Sequence, residues 1–261
     1  MKPWSLVRQL GRTAGLASAG LLFALVGPAQ AQTSASQTSV GRAPAPRPVV
    51  VELFTAQGCS GCPEANRLLE DLQQDAEVIS LTYGVGYWDY LGWSDTFARP
   101  EFADRQRAYR QALHLRNVAT PQLIIDGRTQ VSGNRAPELK AAIETLGDQD
   151  LPPPEIEFRQ GGERVGIGSG RVPSGGAEVV AVIFKPGIQT VVVNRGDNQG
   201  QRVRHLNVVR EVHRLGPWRG RPALYDLPAR KASEDNVVVL VQSQINRHIL
   251  TAALATEPQR D

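Results

Sequence analysis

Apolar and polar positions along residues 49–146 recur in a way that predicts a strand–helix series. Val49-Val50-Val51-Glu52-Leu53-Phe54 is a nearly unbroken apolar run, the pattern of a buried strand. Beyond the loop Thr55–Gly61, Ala65, Leu68, Leu69 and Leu72 return at helical spacing. Pro63 suits the first turn of that helix, where its missing N–H leaves no helix bond unmade. Glu77–Thr82 reads as a second strand, so the unit is β-α-β with a parallel pair. A helix is expected from about Pro100 to His114, with Arg105, Arg107 and Arg110 in solvent. Val118–Gly127 is extended and ends on Asp126-Gly127, a hairpin signal into Thr129-Gln130-Val131. Leu139, Ile143 and Leu146 mark one face of a closing helix over Pro137–Leu146.

The period changes after Leu151-Pro152-Pro153-Pro154-Glu155, a semi-rigid linker. Beyond it, β-branched runs at 155–158, 164–167, 178–184, 189–193, 203–212 and 236–242 are separated by Gly, Pro, Asn and Asp. A polar-tipped hairpin falls at 191–201. This is the signature of an antiparallel sandwich or barrel. The expected organisation is an α/β domain over 48–150 and a mostly antiparallel, sandwich-like β domain over 156–256.

Charge enters mainly through the first 31 residues. Lys2, Arg8 and Arg12, the apolar run Ala14–Val26 and the small-residue site Ala29-Gln30-Ala31 read as an export signal over 1–31, too short and interrupted to span a membrane. Residues 32–47, rich in Ser, Thr, Gln, Ala and Pro, read as a disordered spacer. The signal holds three of the 29 basic residues and none of the 26 acidic ones, so the mature chain carries 26 of each sign. That balance gives no basis for a nucleic-acid partner or, after signal cleavage, a membrane partner. The expected location is the periplasm or the outside of the cell, where two thiols tend to pair.

Candidate chemistry concentrates in Gly58-Cys59-Ser60-Gly61-Cys62-Pro63, which holds both cysteines of the chain. Two thiols two residues apart between a strand and a helix form the thioredoxin arrangement. The helix start supplies unpaired N–H groups and the positive end of the dipole, and both favour a thiolate. As a staple the pair would be weak, because closing a loop of about four residues removes only about 2 kcal/mol of unfolded-chain entropy. A zinc site would need further ligands, and His114, His205, His213 and His248 stand at no ligand-like spacing. No metal and no other cofactor is therefore expected. Cys59, nearer the loop and expected to be more exposed, is assigned as the nucleophile. Cys62, one turn into the helix, is assigned as the resolving thiol.

Eight of the 13 aromatic residues of the mature chain fall between Tyr83 and Tyr109. Around Tyr87-Trp88-Asp89-Tyr90-Leu91-Gly92-Trp93 they read equally as a wall for a client beside the cysteines, led by Tyr87 and Trp88, or as a satellite core. Hydrolase chemistry has little support: Gly166–Gly170 lacks a strand–loop–helix setting, and there is neither a phosphate loop nor a paired-carboxylate signature. The arginines between 202 and 221 read as a solvated face.

Val51–Thr55 with Cys59–Pro63, Tyr87–Trp93, Arg105–Tyr109, Thr120-Pro121-Gln122 with Asp126-Gly127, Asn207–Arg210 and Leu215–Trp218 together resemble an exported bacterial thioredoxin-like family catalogued only as a domain of unknown function. The resemblance covers nearly all of the mature chain. It implies a thioredoxin-like fold with an aromatic-rich insertion and a β-rich C-terminal part. It also implies a cis Thr120–Pro121 bond lying against the disulfide, with both residues contacting substrate. Glu52 falls near the buried acid that assists proton transfer in thioredoxins, one residue further from the cysteine. The family pattern carries a His and an Asp where this chain has Gly84 and Gly86, so any chemistry of those groups is absent here. The expected function is thiol–disulfide exchange through Cys59 and Cys62, supported by Glu52 and Pro63, on a protein thiol or disulfide client. Oxidant, reductant and isomerase roles are not separated by the sequence. The alternative is a non-catalytic binding protein on the same fold, which handles Cu(I) through soft thiolates or docks a partner.

Overall fold

The structure is a computed structural model that describes residues 47–147 and 153–255. The expected signal segment, all of the spacer but Arg47, and Leu151-Pro152 of the linker lie outside the described residues. Strands β1 (Val49–Thr55) and β2 (Val78–Gly84) pair in parallel, joined through helix α1 (Cys62–Asp71). Helix α2 (Pro100–Ala112) leads to the hairpin β3 (Gln122–Ile125) and β4 (Thr129–Ser132), with β3 antiparallel to β1. Helix α3 (Ala136–Gly147) closes this half. Then come β5 (Ile156–Arg159), β6 (Arg164–Ile167), β7 (Ala177–Val192), β8 (Arg202–Trp218), β9 (Ala223–Asp226), β10 (Asn236–Ser243) and β11 (Ile249–Leu254).

One eight-stranded, mostly antiparallel sheet runs β11-β10-β7-β8-β2-β1-β3-β4, and β5-β6-β9 forms a small second sheet. The self-contained sandwich expected over 156–256 is thereby corrected, because four of its strands extend the sheet of the first half. The join is the parallel pairing of β2 with β8 at Thr82 and Val208. Side chains reinforce it: the Thr82 hydroxyl donates to the Leu206 carbonyl, and Asn207 Nδ2 donates to the Ser80 carbonyl at 3.0 Å.

Alternation along the strands sorts side chains to two faces. Val49, Val51 and Leu53 meet Ala65 and Leu69 of α1 and Leu139 of α3. Val50 and Phe54 point the other way, toward Tyr83 and toward Phe102 and Tyr109 of α2. In the second half, Val179, Ala181, Ile183, Val237 and Val239 pack on Val165 and Ile167 of the small sheet. A two-layer sandwich thus survives locally, while Val180, Val182 and Leu240 join the aromatic core on the α2 face. The runs 178–184 and 189–193 fuse into one 16-residue strand, since register shifts around Pro186-Gly187 absorb the break as a bulge.

Arg105, expected in solvent, is buried on the same α2 face as Phe102, Gln106 and Tyr109. Its Nε donates to Glu52 Oε1 at 2.7 Å and its Nη2 to Glu52 Oε2 at 3.1 Å, a bidentate pair between α2 and β1. Arg105 Nη2 also donates to the Tyr109 hydroxyl, which in turn donates to Glu52 Oε2. Gln242 of β10 completes the group through 2.9 Å to Tyr109 Oη and 3.2 Å to Arg105 Nη1. Burial pushes the Tyr109 pKa well up, which keeps the hydroxyl protonated and able to donate. Arg105→Met strands the Glu52 charge, so urea unfolding should show a loss of about 3–5 kcal/mol. The double variant Glu52→Gln/Arg105→Met should recover part of that loss.

Candidate functional site

After β1 the chain turns tightly: the Cys59 N–H donates to the Ala56 carbonyl at 3.2 Å, and the Cys62 N–H to the Cys59 carbonyl at 3.1 Å. Cys59 and Cys62 are disulfide-bonded with their Cα atoms 5.4 Å apart. Helix α1 begins at Cys62, with Pro63 in its first turn. Cys62 is thus the first helical residue rather than one turn in, and Cys59 sits one turn ahead of it. Cys59 is only 2% exposed and Cys62 0%, so the expected contrast in exposure between the thiols is absent.

Three segments cover the pair. The first is the Thr120-Pro121 turn, whose peptide bond is cis. The Thr120 carbonyl oxygen lies 3.7 Å from Cys59 Sγ. Pro121 is pressed on Gly133, where an added Cβ would stand 2.5 Å from the proline ring. Only glycine fits there.

The second is the aromatic stretch. Trp88 Nε1 donates to Thr120 Oγ1 at 2.7 Å, and Trp93 Nε1 donates to Gln57 Oε1 at 2.8 Å. Asp95 accepts the Gln57 N–H at 2.6 Å and the Phe97 N–H at 2.9 Å. Burial pushes the Asp95 pKa up, and these two N–H bonds oppose the shift. Tyr83, Phe102 and Tyr109 are core, Tyr87 packs half-buried against that core, and Tyr90 stacks on Trp88 with 77% of its surface exposed. The stretch therefore supplies core residues and also covers the cysteine turn.

The third is the tip between β7 and β8. Asn198 Nδ2 donates to the Gln57 and Cys59 carbonyls, each at 2.8 Å. Gln57, Asp95 and Asn198 were not foreseen as site residues. A Gln in the turn ahead of the cysteine was a readable signal, whereas Asn198, 139 positions from Cys59, carries none.

Glu52 is brought to the aromatic core and not to a free position, since Arg105 and Tyr109 occupy both of its oxygens. Gly84 has a packing reason: an added Cβ would stand 2.8 Å from the Phe97 carbonyl carbon, where a loop bridges β2 at Ala98. A Cβ on Gly86 would meet Asp89 Oδ2 at 3.0 Å. Among the described residues, no three His, Cys, Asp or Glu side chains converge as a metal site, and no helix is long and apolar enough to cross a membrane.

A family model described as Protein of unknown function (DUF1223) matches residues 50–242, and the chain belongs to that family. The X-ray crystal structure of protein AGR_C_4864 from Agrobacterium tumefaciens is similar at 31% identity and a TM-score of 0.65, over 84% of this chain and 100% of that one. HBP35 of Porphyromonas gingivalis shares the fold at 15% identity and a TM-score of 0.53, over 84% of this chain and 79% of that one. No curated protein matches the chain.

His205 of β8 is buried edge-on against Phe97, with ring centroids 5.2 Å apart. Burial pushes its pKa from 6.5 down to about 4. The unfolded chain therefore binds the extra proton as pH falls, and stability is lost between pH 6.5 and 4. From pH 7 to 4 this residue should remove about 3 kcal/mol of unfolding free energy. His205→Phe should flatten the pH dependence of denaturant unfolding by that amount.

Proposed function

We propose that this chain is a thioredoxin-like thiol–disulfide oxidoreductase of the bacterial periplasm or exterior, acting on a protein thiol or disulfide. The observation that carries the reading is a disulfide at the first residue of a helix, with the Thr120-Pro121 turn laid against Cys59 Sγ. The surrounding core supports it: strand order β2-β1-β3-β4, with α1 and α3 on one face and α2 on the other.

In the reducing direction, the Cys59 thiolate, favoured by the helix start, attacks a client disulfide and expels one client thiolate. The Cys62 thiolate then attacks Cys59 Sγ, expels the second client thiolate and closes the Cys59–Cys62 bond. Two electrons pass to the client, and the oxidising direction is the reverse. Half-buried Thr120 and Pro121, with Trp88 hydrogen-bonded to Thr120 and Tyr87 next to it in the chain, form the docking edge. Glu52 contributes as the partner of Arg105 rather than as a free proton acceptor. Pro63 fixes the helix start.

Equilibration in glutathione buffers should give a single reversible two-electron couple. With the small aromatic disulfide 5,5′-dithiobis(2-nitrobenzoate), Cys62→Ser should hold a mixed disulfide on Cys59, and Cys59→Ser should hold at least tenfold less. A pair that fails to equilibrate at any glutathione ratio would overturn the proposal.

A further inference from the structure

The tip between β7 and β8 is built as a fixed object and not as a loose turn. Val193 and Gln201 pair at 3.0 Å, the Gly200 N–H donates to the Val193 carbonyl at 2.8 Å, and the Gln199 N–H to the Gly196 carbonyl at 3.1 Å. Gly196, at φ +80°, lies so close that an added Cβ would stand 3.8 Å from Gly58 Cα and 3.6 Å from Leu91 Cβ. Within a tip whose neighbours Asp197 and Gln199 are exposed, Asn198 is fully buried. Both of its amide bonds go to the backbone of the cysteine loop.

Exchange requires a thiolate to reach a sulfur along the S–S axis, and both sulfurs are buried while the next two residues, Ser60 and Gly61, are exposed. A shift of the Gln57–Cys59 backbone is what would bring Sγ out from the Thr120 carbonyl. Asn198 holds that backbone at two carbonyls.

We infer that Asn198 is a positioning residue for Cys59 and that the β7–β8 tip gates the disulfide, admitting small dithiols ahead of protein dithiols. The inference rests on the oxidoreductase reading above. In the gated step a dithiol thiolate attacks Cys59 Sγ and Cys62 leaves as a thiolate. The second dithiol sulfur, deprotonated, then closes on the first and releases Cys59 as a thiolate. The dithiol is oxidised by two electrons and the protein pair is reduced.

The test is the rate of reduction of the full chain by dithiothreitol and by reduced thioredoxin. Asn198→Asp is isosteric and turns a carboxylate oxygen toward two carbonyls. Asn198→Ala only deletes the donor and serves if the first variant does not fold. With two hydrogen bonds lost, reduction by dithiothreitol should speed up by about tenfold or more, and reduction by thioredoxin by a larger factor. Arg214→Ala removes another tie between the same two strands, to Glu178 at the end away from the tip, without touching the cysteine loop. It should lower the melting temperature yet leave both rates within about twofold of wild type. A folded Asn198 variant reduced at wild-type rates by both dithiols overturns the gate alone. A wild-type pair that neither dithiol reduces overturns the oxidoreductase reading, and the gate with it.

Discussion

Strand β2 is buried along its inner half and paired with β1 on one edge, so its other edge must find a partner inside the protein. Strand β8 meets that demand, in parallel at Thr82 and through the Thr82 hydroxyl and Asn207 amide beside it. Much else follows from this one pairing. It lays the start of β8 along α1, where Asn66 Nδ2 donates to the Arg204 carbonyl and Arg204 pairs with Glu70. It also aims the β7–β8 tip at the cysteine turn. The C-terminal half is therefore part of the wall around the disulfide.

On the opposite face the organising charge is Glu52. A carboxylate with no exposed surface is tolerable in a strand only when its partner is equally buried and well oriented. Arg105 satisfies both conditions and recruits Tyr109 and Gln242, so β1, α2 and β10 meet at one polar group inside an aromatic core. The same network ties the two halves of the chain a second time.

Much of the first half was legible in the chain because its signals are local. The run 49–54, the helical spacing from Ala65 to Leu72, Asp126-Gly127 and the apolar face of α3 each announce an element within a few residues. The cysteine pair was legible for the same reason, whereas the cis Thr120–Pro121 bond was expected only from the family resemblance. What escaped is long-range. Periodicity sees β-branched runs but not which edge they join, so four strands were expected in a separate domain. Arg105 reads as a solvated charge until the burial of Phe102, Gln106 and Tyr109 shows which face it shares. Asn198 sits in a polar tip that any hairpin could carry, and its meaning exists only once the tip is folded onto Gln57 and Cys59.

The pairing of β2 with β8 also bears on the order in which the chain becomes competent. The β2 residue Thr82 precedes its hydroxyl's partner by 124 positions, so a chain emerging from its N-terminus carries an open strand edge through much of its synthesis. Over the same interval the cysteine turn lacks Asn198. The sheet stays unfinished, and the cysteine turn untied at both carbonyls, until the last third of the chain has been made.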